Sequence, residues 1–390
     1  MSKAIILGDP HIGKGASALG KSDALLLSNS KIQDQFNLLH WVSDYAINNH
    51  CSHIIITGDL FEDPKPNQEL IVELIKWLRS CSINNIEIHI IFGNHDFFRF
   101  GNFYTSPLDI INEAEIPNVY VYNSFTNIYI GNCGITIAPF RDKKSYFVQT
   151  PIEALHKIKS TLDYQRIEIP NSMVKICIGH LALEGSIPVG DEFDDLLNEL
   201  IVPLDYFEGY DAVWMGHVHT PQVLSKKPLI SHVGSMDISN FGESEHIKNI
   251  VVFNYDNFSH ETVVIPTKKL HKISISIPEN IEDGTEYVKD YISKLDLKNQ
   301  IIKVEIESNS VGTKSTDKKQ IEKMLEANGV RSVSSITESK KLNLVKKKNT
   351  NISAGISVKE SIVEYSKTLP DSIRNEATSI MIELFNSLEK

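Results

Sequence analysis

The sequence predicts an α/β protein: a two-sheet β-sandwich flanked by helices, then a small α/β domain and a C-terminal helical pair. Three observations carry this. Strand-like and helix-like runs alternate through the first half of the chain. Short β-rich runs then take over. Finally, apolar runs repeatedly end in a polar tip bearing a metal-ligand residue, which requires strand ends gathered along one edge.

Ala4-Ile5-Ile6-Leu7 reads as the first strand, followed by a polar loop through Ser30 with Gly13, Gly15 and Gly20. Residues 31–50 read as a helix, with Ile32, Phe36, Leu39, Val42 and Ala46 on one face. Strand 54–57 follows, then a loop marked by Pro64 and Pro66. The helix over 67–80 carries Leu70, Ile71, Leu74, Ile75 and Leu78 at helical spacing. Strand 86–92 completes a βαβαβ series, which predicts a largely parallel sheet with helices outside.

From about residue 118 the runs Val119–Tyr122, Asn127–Ile130 and Gly134–Ala138 are β-rich. Helical stretches at 151–162 and 193–200 alternate with strands 174–178 and 211–215, and strands 229–233, 248–254 and 261–265 follow. Two packed sheets accommodate this set better than one. Strands 272–279, 300–307 and 330–336, with helices near 285–294 and 316–328, form a small domain over 268–337. Residues 338–356 are rich in Lys, Asn and Ser and read as a linker. Two helical segments, 357–367 and 372–389, are split at Pro370. The second carries a wide apolar stripe of Ile373, Ala377, Ile380, Met381, Leu384, Phe385 and Leu388. The domains are therefore 1–267, 268–337, a linker at 338–356 and a helical segment at 357–390.

The 390 residues suit one large domain plus smaller ones, and 41% apolar content is ordinary for a globular chain. No apolar run approaches the roughly 20 residues of a membrane span. The first strand begins almost at the N-terminus, so a cleavable signal peptide is not expected. Cys51, Cys81, Cys133 and Cys177 are far apart, without a C-x-x-C pair, so neither a disulfide framework nor a zinc knuckle is suggested. These facts point to the cytoplasm. A formal net charge of −11 argues against a nucleic-acid partner unless positive charge is local. Lys340, Lys341, Lys346, Lys347 and Lys348 are clustered, and two bound dications would add about +4 where a phosphate sits.

The polar tips are the chemical signal. They read Gly8-Asp9-Pro10-His11, Gly58-Asp59, Gly93-Asn94-His95-Asp96, Gly179-His180 and Gly216-His217-Val218-His219. Each alone has a bland reading: Asp9 as a turn residue, Asp59 in a surface loop, any histidine as a hydrogen-bonded one. Together they describe one pocket with ligands for two divalent metals. Carboxylate, imidazole and amide oxygen form a borderline set suited to manganese, iron or zinc more than calcium. Asp9 and Asp59 supply two negative charges, so two dications leave about +2, which a phosphodiester and a hydroxide would neutralise. That is the logic of two-metal phosphoester hydrolysis. Asn94 is the natural ligand of its tip, leaving His95 free beside the metals to protonate a leaving oxygen or steady a phosphate. Asp96 either orients His95 or forms the turn.

These motifs resemble the calcineurin-like metallophosphoesterase superfamily over about residues 1–265. GNHD favours its nuclease and phosphodiesterase branches. Ser231-His232-Val233-Gly234-Ser235 followed by Phe241-Gly242-Glu243 is similar to a segment of SbcD-type DNA-repair nucleases, and the order of the C-terminal parts is similar too, as it is to a phage exonuclease subunit of that type. The resemblance implies a metallophosphoesterase fold with Asp9, His11 and His219 on one metal, Asn94, His180 and His217 on the other, Asp59 bridging and His95 catalytic. It implies two manganese ions, with magnesium as the substitute. The implied activities are 3′→5′ exonuclease and single-strand endonuclease, serving DNA repair and recombination. The implied partners are DNA, an SbcC-type coiled-coil ATPase docked on residues 357–390, and a second copy in a homodimer. Residues 268–337 would cap the DNA. Glu62 stands where some relatives carry a second histidine, and a carboxylate there is unhelpful to a phosphate unless it points away.

Two rival readings stay open. One is a small-molecule nucleotide phosphodiesterase, which needs no docking helices. The other is a metal-free scaffold, against which the complete ligand set argues. The cluster Phe97, Phe98, Arg99, Phe100, Phe103 and Tyr104 reads as a DNA entrance, as core between two helices, or as a dimer contact.

Overall fold

The computed structural model describes residues 2–14, 30–100, 103–188, 199–278, 281–309 and 315–341, with 366–367, 374–375 and 378–382 beyond them. The strands are β1 Lys3–Leu7, β2 Cys51–Ile56, β3 Glu87–Ile91, β4 Phe98–Phe100, β5 Phe103–Thr105, β6 Val119–Tyr122, β7 Thr126–Ile130, β8 Cys133–Ala138 and β9 Val174–Gly179. They continue with β10 Ala212–Met215, β11 Gln222–Lys226, β12 Leu229–His232, β13 Asn249–Asn254, β14 His260–Val264, β15 Leu270–Ser276, β16 Ile301–Asn309 and β17 Ser332–Lys341.

Two six-stranded sheets face each other, in the orders β14-β13-β1-β2-β3-β6 and β11-β12-β10-β9-β8-β7. The centre of each is parallel, β1-β2-β3-β6 in one and β8-β9-β10-β12 in the other. Alternation along each strand sorts the side chains. Ile5, Leu7, Ile54, Ile56, Ile88 and Ile90 face the flanking helices, while Ala4, Ile6, Ile55 and Ile91 meet Ile135, Ile137, Ile176, Ile178 and Trp214 between the sheets. Burial on both faces is why these strands read as continuous apolar runs.

The first two helices occupy Ser30–Asn48 and Gln68–Ile83. The second starts where the Asn67 side chain accepts from Glu69 N, satisfying one of the free amides of the first turn. It is tied to the first by Trp77 Nε1 donating to Leu39 O at 3.0 Å. The helix expected at 151–162 runs on to Glu168, starting from a reciprocal Thr150–Glu153 cap.

Strands β15-β16-β17 form a separate parallel sheet packed on helices Gly284–Ser293 and Lys318–Ala327, around Ile273, Ile302, Val304, Val288 and Ile321. Arg331 ties it to the first helix by a 2.9 Å ion pair with Asp34. Strand β17 continues to Lys341, so residues 338–341, assigned to the linker by composition, are strand; pairing with β16 overrides their polar sequence. Of the helix expected at 193–200, only Glu199 and Leu200 are described, and they are not helical. Most of the linker and the helical pair lies outside the described residues. Among the described residues, no helix is long and apolar enough to cross a membrane.

Candidate metal centre

All five tips come together. Strands β1, β2 and β3 of one sheet and β9 and β10 of the other end at the same edge, and Asp9, His11, Asp59, His180, His217 and His219 are buried there. His11, Asp59 and His217 hold positive φ angles of 44°, 47° and 81°. That conformation costs roughly 1–3 kcal/mol for a non-glycine residue and clusters at functional sites. The glycines let the tips crowd. Gly58 sits at φ +125°, and a Cβ on Gly216 would lie 2.2 Å from Asp9 Oδ1 and 2.4 Å from Thr57 Oγ1.

Donor atoms converge on two points. At the first, His11 Nε2 and His219 Nε2 are 2.9 Å apart, with Asp9 in the same cluster. At the second, Asn94 Oδ1 lies 2.9 Å from His180 Nε2 and 3.0 Å from His217 Nδ1, and those two nitrogens are 3.2 Å apart. Asp59 Oδ2 reaches both, 3.6 Å from His11 Nε2 and 3.3 Å from His180 Nε2. His180 Nδ1 lies 3.0 Å from Thr57 O; as the donor there, it leaves Nε2 a bare lone pair. Lone pairs aimed at one another with too few protons between them suit a cation. This donor set fits two divalent metals.

A profile of the Calcineurin-like phosphoesterase family matches residues 2–221, which contain every one of these donors. The chain belongs to that family. Among known relatives it is similar to "Exonuclease subunit 1" of Enterobacteria phage T4, at 23% identity over 99% of this chain and 98% of that protein. It is also similar to proteins named "DNA double-strand break repair protein Mre11". That of Sulfolobus acidocaldarius is 24% identical over 97% of this chain and 94% of its own length. That of Thermoplasma acidophilum is 23% identical over 74% and 70%.

In this phosphoesterase each candidate histidine ligand is held from behind. His11 Nδ1 lies 2.8 Å from Glu62 Oε2, His217 Nε2 lies 2.6 Å from Glu199 Oε2, and His219 Nδ1 lies 3.5 Å from Glu243 Oε1. These are ionic contacts lying off the hydrogen-bond axis. The backbone carbonyl of Thr57 does the same for His180. Such outer partners fix the tautomer and raise the basicity of a ligating imidazole. The Glu62 carboxylate is thus engaged by His11 and by Lys14 (3.6 Å). Glu199 was missed altogether, since nothing marks it within the acidic run that starts at Asp191.

Charge follows the same plan. Burial works against ionising Asp9, but His180 outweighs it and takes the carboxyl down to about 2. Asp59 is held well below its usual range against burial by the same imidazole. Conversely, burial opposes a proton on His180, yet Asp59 and Asp9 push it well above its ordinary value. The two carboxylates demand positive charge, which metals would supply. We expect Glu62→Gln to weaken manganese binding by roughly 10–100-fold. Calorimetric titration checks this, and parental affinity would remove Glu62 from the supporting shell.

Behind His219, Glu243 and Lys248 are both fully buried, 2.7 Å apart. Lys248 Nζ also donates to His219 O and Ser235 Oγ, so its three protons are placed. Lys248→Met should cost about 3–5 kcal/mol by leaving Glu243 buried without its cation. Urea unfolding measures it, and a parental midpoint would contradict the pairing.

His95 and Asp96 differ from the expected arrangement. His95 N donates to Asp59 Oδ1 at 2.8 Å, and His95 Nδ1 lies 2.8 Å from Glu62 O. Asp96 does not orient that ring. Its two oxygens accept from Phe61 N (3.2 Å) and Gly93 N (2.9 Å), which closes the turn and occupies the carboxylate with backbone. Asp96 thus holds the loop, the turn-forming alternative of the sequence reading.

Proposed function

We propose that the chain is a two-metal DNA nuclease hydrolysing phosphodiester bonds. Asp9, His11 and His219 would hold one ion, Asn94, His180 and His217 the other, with Asp59 shared and manganese preferred over magnesium. The observation that carries this is the pair of donor clusters meeting at Asp59, with His95 next to His11 and Asp59 and its Nδ1 taken by Glu62 O. The names of the relatives support DNA as the substrate.

Two ions at these points would lower the pKa of an attacking water and offset charge on the phosphoryl oxygens. The chain's own residues do the rest. Asp59 keeps the clusters in register and, through its second oxygen, fixes the backbone of His95. His95 acts as the imidazolium: Nδ1 donates to Glu62 O, and the second proton, on Nε2, passes to the departing sugar oxygen and leaves the ring neutral.

On this reading residues 268–337 cap the DNA, 338–356 are a linker and 357–390 dock on an SbcC-type coiled-coil ATPase, with the nuclease acting as a homodimer in DNA end processing. The test is hydrolysis of end-labelled duplex and single-stranded DNA with manganese or magnesium, alongside a chromogenic diester. Manganese-dependent release of nucleotides is expected. Cleavage of the small diester with intact DNA would move the assignment to a small-molecule phosphodiesterase.

A further inference from the structure

A cavity of ≈ 200 Å³ opens beside the metal centre, lined by residues including Phe97, Arg99, Tyr104, Arg141 and Phe147. Its position is fixed by the strand ends. Phe92 and Phe140, from the two sheets, are joined by Phe140 N donating to Phe92 O at 2.9 Å. The Phe140 ring lies 6.3 Å from His180 and 6.1 Å from His217, and 6.1 Å from Phe97 on its other side.

The lining has two characters. Arg99 is occupied, bound to Asp142 (3.2 Å) and Ser145 Oγ (2.9 Å). Arg141 is not: among the described residues its guanidinium makes one hydrogen bond, to Phe140 O at 3.1 Å, and no ion pair. Burial pulls its pKa below the ordinary value. A half-buried cation without an ion pair is costly unless an anion meets it. On the aromatic side Tyr104 packs edge-on against Phe92 and Phe97 and accepts from Asn123 Nδ2 at 3.1 Å, which fixes one wall. Phe147 is 81% exposed, held at φ 52° at the end of the short turn Lys143–Tyr146, and Tyr104 is 44% exposed. Sites for drug-sized ligands run to about 300–1,000 Å³, so this cavity suits a single heterocycle.

We propose that this cavity takes the nucleotide next to the scissile bond in a single-stranded or frayed DNA end. Arg141 meets its phosphate, and Phe97, Tyr104 and Phe147 take its base. The proposal rests on the nuclease reading for the identity of the substrate. It assigns part of the aromatic and basic cluster that the sequence left open, and it supplies local positive charge in a chain of net charge −11.

The test is fluorescence anisotropy of a labelled oligothymidylate bound to the full chain in EDTA, over a salt series. Arg141→Ala should weaken binding and flatten the salt dependence by about 0.7 in log–log slope, one phosphate contact on a single strand. Arg141→Lys should restore the slope. Phe147→Ala, at an exposed turn where folding is not at risk, should weaken binding by roughly 5- to 150-fold without changing the slope. An abasic strand should show no Phe147→Ala effect. Parental affinity and slope in all three variants would overturn the proposal. Hydrolysis of end-labelled DNA by the parental protein with manganese tests the nuclease reading separately. Activity there with unaltered variant binding sinks only the cavity.

Discussion

Asp59→Asn is expected to abolish hydrolysis, by more than about 10⁴-fold, and to remove both metals together. The amide keeps the size but loses the charge that His11 and His180 face at 3.6 and 3.3 Å. It also keeps an oxygen able to accept from His95 N, so the turn survives. The loss is therefore electrostatic: several kcal/mol of stabilisation for charge on the phosphoryl group, at about 1.4 kcal/mol per decade of rate. The variant should fold, and its manganese titration should be flat. A folded Asp59→Asn protein that binds two ions and still cuts would remove Asp59 from its central place.

His95→Asn should separate chemistry from binding. Its ring stands beside His11 and Asp59 but is assigned to neither ion, with Nδ1 taken by Glu62 O, so manganese affinity should stay within a few-fold of parental. Its Nε2 is the proton source proposed for the leaving oxygen, and a positioned general acid contributes about 10²–10⁴-fold. Single-turnover cleavage of a labelled strand, with metal binding followed in parallel, reads both. A substrate whose leaving group needs no proton, such as a nitrophenyl ester, should lose much less. Equal losses on both substrates would make His95 a phosphate binder rather than an acid.

The candidate donors were legible because each follows an apolar run directly, and a strand end buried on both faces leaves its ligand no other place to go. That logic suffices for β1, β2, β3, β9 and β10. It could not see that β13 returns beside β1, a pairing across some 250 residues of sequence that leaves no local signal. The outer shell divides the same way. Glu243 sits in a recognisable segment. Glu199 lies in an unpatterned acidic run, and Glu62 was visible as a residue type while its direction was not. The partner of His95 is a backbone carbonyl, which no side-chain identity encodes, so the sequence offered Asp96 in its place. The cavity by Arg141 needed Phe140 and Phe147 brought next to Phe97 by the second sheet.

The central claim is that one pocket at the strand ends holds two ions joined by Asp59. Anomalous diffraction from crystals of the protein soaked in manganese tests it most directly. The account predicts two peaks. One should be bounded by Asp9, His11 and His219, the other by Asn94, His180 and His217, with Asp59 touching both. A single peak, or peaks elsewhere on the chain with this pocket clear, would contradict it.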